Sequence, residues 1–221
     1  MNIFDILGPV MVGPSSSHTA GAVRIGYITR TLLGGQPVKA TIGLHGSFAA
    51  TGKGHGTDRA LVAGLLGMKP DDMRIPQSFE IAAQEGMEFS LRNVQIPGAH
   101  PNTAVLDVED AKGNTLQVQA SSLGGGRILL NKLDGIAVNC TGEDPTLIVH
   151  NQDNPGHVAE VTSMLAAKAI NIATLQLYRN KRGGDAVMVI EIDQPVPQDL
   201  IRKLTAMPGI MKVTYINGED V

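Results

Sequence analysis

The sequence predicts an α+β protein of two domains, and three observations carry that reading. Up to about residue 143, helix-like and strand-like stretches alternate irregularly between Gly-rich turns. From 146 to 221 the apolar pattern runs strand, helix, strand, strand, helix, strand, the ferredoxin-like βαββαβ order. Between them, Thr141-Gly142-Glu143-Asp144-Pro145 breaks the strand-like Ile136–Cys140 with a glycine and a proline, and reads as a short linker. The 221 residues suffice for two domains of about 100 residues each.

In the first domain, Ala22, Val23, Ile25, Ile28, Leu32 and Leu33 share a face, which predicts a helix beginning just after Thr19. Residues 38–44 form a strand, 57–66 a helix and 76–84 another. Strands follow at 88–94, 103–108, 116–120 and 127–133, with Lys112-Gly113-Asn114 as a hairpin turn. In the second domain, residues 146–150 form the first strand. Asn154 is expected to cap the next helix, with Pro155 at its first position; Val158, Val161, Leu165 and Ala169 lie at helical spacing and Asn171 closes it. Strands at 172–178 and 186–192 join through Asn180-Lys181-Arg182-Gly183-Gly184. A helix from Pro197 to Met207 and a strand at 210–216 complete the order.

Charge and composition narrow the function. A net charge of −3 and no clustered basic stretch argue against nucleic acid as a partner. No apolar run approaches the roughly 20 residues of a membrane span, and Met1–Met11 has neither a basic leader nor a small-residue cleavage site, so a cytoplasmic protein is expected. Cys140 is the only cysteine. One thiol forms no internal disulfide and cannot supply the three or four thiolates that an iron–sulfur cluster needs.

The residues able to do chemistry concentrate in four polar segments. Gly13-Pro14-Ser15-Ser16-Ser17-His18-Thr19 places hydroxyls and an imidazole at a helix start, where backbone amides favour anions and His18 is suited to proton transfer. The same run also reads as a plain Ser/Thr cap beside a surface histidine. Residues 45–58 carry four glycines with His45, Ser47, Lys53, His55 and Asp58, in what reads as a loop between strand and helix. The order of a nucleotide-binding phosphate loop is absent, and the histidine spacing matches no usual zinc pattern, so no metal site is assigned. His100 and Asn102 stand in a Pro-rich turn before a strand. Ser121–Arg127 reads as a flexible hinge or an anion-binding nest. A stand-alone metal hydrolase using His45, His55 and His100 is the weakest alternative.

These segments resemble the iron–sulfur-dependent L-serine dehydratases: Gly-Pro-Ser-Ser-Ser-His-Thr at 13–19, His-Gly-Ser-Phe-Ala-x-Thr-Gly-x-Gly-His-Gly-Thr-Asp at 45–58, His-Pro-Asn at 100–102 and Ser-Leu-Gly-Gly-Gly at 122–126, in the family's order. In that family some members are single chains and others split into alpha and beta subunits; this chain looks like a beta subunit. The resemblance implies an allosteric-substrate-binding-like domain over 1–143, also found in some phosphoglycerate dehydrogenases, and an ACT domain over 146–221. It implies conversion of L-serine to pyruvate and ammonia at a 4Fe–4S cluster held by the alpha subunit and not by this chain. One iron free of cysteine would act there as a Lewis acid on the serine hydroxyl. By the same resemblance His18 is the catalytic base beside Thr19, and substrate contacts fall to Ser15, Ser16, Ser17, Ser47, His55, His100 and Asn102. In the ACT domain, Asn154, Pro155, Gly156, Asn171 and Ile172 are expected to bind an effector. The implied partners are the alpha subunit, L-serine and a second copy joined through either domain. The alternative is a purely regulatory amino-acid-binding subunit, with every catalytic group on the alpha chain.

Overall fold

The computed structural model describes residues 10–218, without the Lys53 side chain, so the leader-free start read from Met1–Met11 lies, apart from Val10 and Met11, outside the described residues. The chain divides into two compact units, Met1–Asp134 and Gly135–Val221.

In the first unit a π-helical turn, Ser16–Ala20, runs directly into α1 (Gly21–Leu33). After β1 (Lys39–His45) come α2 (Ser47–His55), α3 (Thr57–Leu65), a 3₁₀ turn (Ile75–Gln77), α4 (Ser78–Gln84) and β2 (Glu88–Val94). Then β3 (Thr103–Glu109), β4 (Thr115–Gly124) and β5 (Arg127–Leu133) form a meander, and the chain continues into β6 (Ile136–Cys140). Within this unit the sheet order is β2-β1-β3-β4-β5. Only β1 and β2 are parallel, as a crossover through three helices requires. Along β1, Ala40, Ile42 and Leu44 are buried, as are Ala104, Leu106 and Val108 of β3. One face of the sheet therefore carries a core; the other is polar, with Lys39, Thr41, Asp107, Glu109 and Gln117 around a depression of about 360 Å³.

Helix α1 lies against α3 at a glycine crossing. A β-carbon on Gly26 would stand 2.2 Å from the Leu61 carbonyl oxygen, and one on Gly64 would stand 2.0 Å from that of Val23. The two backbones approach closely because neither position carries a side chain.

Four local expectations need correction, the last of them at Asn171. Residues 45–58 are not a loop: all but His45, Gly46, Gly56 and the start of α3 belong to α2. Gly52 and Gly54 weaken a helix by about 1 kcal/mol each, yet Phe48 is fully buried and anchors the segment against the core. The second correction is at 121–127, where Ser121 and Ser122 are buried in β4, which runs to Gly124, and only Gly125 and Gly126 turn, both at positive φ, so the stretch is a hairpin. The third concerns the second unit, whose first helix is capped by Gly156 and not by Asn154. Asn154 instead turns back on β7, donating its backbone N–H to the Gln152 carbonyl at 2.8 Å.

The second unit has β7 (Thr146–Gln152), α5 (His157–Ala166), β8 (Ile172–Arg179), β9 (Asp185–Ile192), α6 (Gln198–Thr205) and β10 (Ile210–Ile216). The βαββαβ order closes into an antiparallel sheet, β10-β7-β9-β8, as the ferredoxin-like fold requires. Leu147 and Val149 of β7 and Met188 and Ile190 of β9 pack against Val161 and Leu165 of α5 and Leu200 and Leu204 of α6. Helix α5 ends at Ala166, and Ala169 turns the chain at φ +55°, so Asn171 does not close the helix. Its N–H and its side-chain amide bind Gln194 and Asp193 instead.

Candidate functional site

Residues 13–19 and α2 converge around one imidazole, and the turn before β3 holds the start of α2. Ser15, in extended conformation, caps the π-helical turn by accepting the His18 backbone N–H at 3.2 Å. This places the His18 ring between hydroxyls. Nδ1 lies 3.0 Å from Ser17 Oγ and 3.5 Å from Ser15 Oγ, while Nε2 lies 2.9 Å from Ser47 Oγ. Phe48 packs edge-on against the ring at 5.4 Å between centroids, and His55 lies tilted at 5.0 Å. Ser47 and His55 fall eight positions apart on α2, two helical repeats of four, so one face of that helix presents both.

Close packing holds these elements in register. A β-carbon on Gly13 would meet the Thr19 side chain at 2.6 Å, and one on Gly21 would meet Ser122 Oγ at 2.1 Å. Gly46, at φ +57°, lies against the Pro101 carbonyl, which accepts the Ser47 N–H at 2.8 Å. The turn containing His100 and Asn102 thus sets the start of α2 through its backbone. Buried Thr19 donates its hydroxyl to the His55 carbonyl at 3.2 Å, tying the π-helical turn to the far end of α2.

Burial lowers the His18 pKa, and the nearby positive charge that His55 can carry lowers it further; a hydrogen bond to the Ser47 backbone acts the other way. The site therefore favours a neutral imidazole, the form able to accept a proton. His55 Nδ1 is buried without a hydrogen-bond partner, as are Thr57 Oγ1 and Ser122 Oγ nearby in sequence or fold.

Of the residues singled out from the sequence, Ser15, Ser17, His18, Thr19, Ser47 and His55 come together. Ser16 begins the π-helical turn beside them and is half-buried. His100 points elsewhere: its exposed ring accepts the Asn102 N–H at 3.1 Å and lines a separate cavity of about 190 Å³ with Gln119, Asn131 and Lys132. Asn102 joins the site through its backbone, its carbonyl accepting the Ser122 N–H at 2.9 Å. His45 is structural, its Nδ1 accepting the Ile96 N–H at 3.2 Å. Phe48 was missed as a site residue, although its spacing from Ser47 and His55 on a helix would have shown it once the segment was read as helical.

In the second unit, Asn154, Pro155 and Gly156 are exposed and precede α5, whereas Asn171 and half-buried Ile172 open β8. The ten residues of α5 separate the two groups by about 15 Å along the helix axis.

A thiolate-held cluster does not fit this chain. Cys140 is buried and its pKa is pushed up to about 11, chiefly by burial. Among the described residues, no group of three or more His, Cys, Asp or Glu side chains is arranged to hold a metal ion. No helix among them is long and apolar enough to cross a membrane.

Fold and site together define a class: an α+β domain presenting a hydroxyl-flanked imidazole, followed by an ACT module. The family model for the serine dehydratase beta chain matches residues 2–91, and that for the ACT domain matches residues 145–209. A probable L-serine dehydratase beta chain from Bacillus subtilis is 40% identical over 215 residues, covering 97% of each chain. The L-serine dehydratase beta chain of Peptoniphilus asaccharolyticus is 36% identical over 214 residues, covering 96% of each. A D-3-phosphoglycerate dehydrogenase from Methanocaldococcus jannaschii is 33% identical over 142 residues, covering 58% of this chain and 27% of its own. The chain belongs to the serine dehydratase beta-chain family.

Proposed function

We propose that this chain is the beta half of an L-serine ammonia-lyase, converting L-serine to pyruvate and ammonia only when joined to an alpha subunit that carries a 4Fe–4S cluster. Its two functional domains run over 1–143 and 146–221, and the assembled enzyme works in the cytoplasm. The observation that carries this reading is His18: an imidazole held by a hydroxyl at each nitrogen, between two of the four segments that the family resemblance picks out.

The α-proton of an amino acid is weakly acidic, so its removal needs a base held in place. His18 Nε2 is that base. Ser16, Ser47, His55 and Thr19 surround the position that substrate would take, and the helix starts at Ser16 and Ser47 direct backbone amides towards a carboxylate. The remaining chemistry belongs to the partner chain. Aminoacrylate, once formed, tautomerises and hydrolyses to pyruvate and ammonia.

The test is anaerobic co-expression with a cysteine-rich alpha chain, followed by a pyruvate assay. The pair is expected to be active and this chain alone inactive; pyruvate from this chain alone overturns the subunit reading. In the pair, His18→Ala is expected to lower kcat by about 10²–10⁴-fold, the usual contribution of a general base. Near-normal turnover in that variant removes the base assignment.

The effector residues are assigned to the two ends of α5. Asn154, Pro155 and Gly156 can share one pocket with Asn171 and Ile172 only if a second copy supplies one of the groups. Sedimentation of the full chain with and without L-serine tests this: binding without any change in self-association overturns the shared pocket.

A further inference from the structure

His18 is the second member of a chain of four hydrogen-bonding side chains, Ser47, His18, Ser17 and Ser15. Ser47 Oγ meets Nε2 at 2.9 Å, Nδ1 meets Ser17 Oγ at 3.0 Å, and Ser17 Oγ meets Ser15 Oγ at 3.3 Å. Capping accounts for Ser15, which accepts the His18 backbone N–H. It leaves Ser17 unexplained, because that hydroxyl is directed at the ring and not at a helix end. Phe48 and His55 flank the ring, so its two nitrogens keep their sides.

Counting hydrogens shows what this arrangement permits. A neutral imidazole has one N–H and one lone pair, while each hydroxyl can donate and accept. The chain can therefore point in either direction, and reversing it moves one proton from end to end without leaving a charge on any hydroxyl. For Nε2 to be basic, Nδ1 must carry the ring hydrogen and donate it to Ser17.

We propose that Ser17 sets the His18 tautomer and that Ser17 and Ser15 form the path by which His18 discards the proton it takes up. This rests on the reading of His18 as the base. Nε2 accepts the α-proton and the electron pair of the C–H bond stays on carbon. The Nδ1 proton passes to Ser17 Oγ as the Ser17 proton passes to Ser15 Oγ and the Ser15 proton to water. The ring is then neutral, with its hydrogen on Nε2. When Nε2 gives that proton to the departing hydroxide, the chain runs backwards, water resupplies Ser15, and Nδ1 regains its hydrogen. No proton is gained or lost over the cycle beyond the water formed. Ser15 and Ser17 thus serve the base, whereas Ser16 and Ser47 remain for substrate.

The experiment combines imidazole ¹⁵N shifts of the full chain with kinetics of the enzyme reconstituted with its cluster-bearing partner. In the wild type, His18 is expected as the Nδ1–H tautomer. Ser17→Ala is expected to convert it to Nε2–H and to lower kcat by about tenfold or more while KM stays within about twofold; Ser17→Thr restores both. An unchanged tautomer, wild-type kcat, or a raised KM with unchanged kcat overturns the proposal, the last by making Ser17 a substrate contact. Ser15→Ala is the second variant, and serves alone if Ser17→Ala does not fold. It keeps the Nδ1–Ser17 bond, so the tautomer should hold while kcat falls; wild-type turnover there overturns the path. His18→Ala run in parallel separates the two readings. If it is inactive while Ser17→Ala behaves as wild type, the relay fails and the base stands; if it turns over normally, the base reading itself fails.

Discussion

At the scale of single residues, the balance around His18 predicts how it titrates. Burial and the neighbouring His55 hold its pKa below the ordinary imidazole value, and Ser47 partly offsets them. Replacing His55 with Gln removes a positive charge that opposes protonation, so the His18 pKa should rise. The opposing hydrogen bond comes from the Ser47 backbone, so Ser47→Ala leaves it in place. The effect of His55→Gln is read from the pH dependence of the His18 ring signals by NMR, and a shift of the opposite sign would refute the account. The same depression sets a stability trend. Between the folded pKa and the unfolded value of about 6.5, the unfolded chain binds more protons than the folded one. The contribution of this site is complete above about pH 6.5 and is lost progressively as pH falls from that value through the folded pKa. The urea midpoint of the wild type, relative to His18→Gln, should therefore drop between pH 7 and pH 5.5. His18 was legible in the sequence as a proton-transfer candidate, but its partners were only partly so. Ser47 lies 29 positions away, and no local pattern says that its hydroxyl meets Nε2.

At the scale of elements, the site depends on glycines that let backbones touch. Gly64→Ala would place a methyl 2.0 Å from the Val23 carbonyl oxygen and 2.6 Å from the Tyr27 nitrogen, both backbone atoms that cannot rotate aside. The variant gains about 0.5–1 kcal/mol of intrinsic helix preference. It loses about 1–3 kcal/mol or more by overpacking, so destabilisation should win. Chemical denaturation of the full chain checks this, and an unchanged midpoint would show that α1 and α3 can separate freely. Gly46→Ala meets the Pro101 carbonyl at 2.6 Å and also resists φ +57°, so it should shift Ser47 from His18 and lower kcat of the assembled enzyme. These glycines explain why α2 was read as a loop. Counted by propensity, Gly52 and Gly54 oppose a helix, and only the tertiary burial of Phe48 reverses that preference. The βαββαβ unit was more legible because its apolar periodicity suffices to build its core, as Leu147, Val149, Val161 and Leu165 show. Its helix boundaries were less so: Gly156 at φ +102° takes the cap that Asn154 was expected to fill.

At the scale of the whole molecule, the proposed function has this chain rely on a partner for its cluster chemistry. A thiolate cluster needs three or four deprotonated cysteines within bonding reach of iron. The sequence supplies one, and that thiol is buried with a pKa near 11, so at neutral pH it is protonated and out of reach of solvent. Its environment is that of a small apolar residue packed into β6, not of a ligand. Two outcomes follow for the full chain and its assembly. Incubated anaerobically with iron and sulfide, the purified chain should show no visible charge-transfer absorption and retain far less than one iron per molecule after desalting. In the assembled enzyme, Cys140→Ala should leave kcat and cluster absorption within about twofold of wild type, since the thiol is buried and held protonated. Its stability should fall by about 1–2 kcal/mol, the order expected for removing one buried sulfur-sized group. Loss of the cluster on that substitution would make Cys140 a ligand and the active site a different one. Unchanged cluster and turnover with a lowered denaturation midpoint would assign Cys140 to packing, and leave His18 with its hydroxyl chain as this chain's share of the reaction.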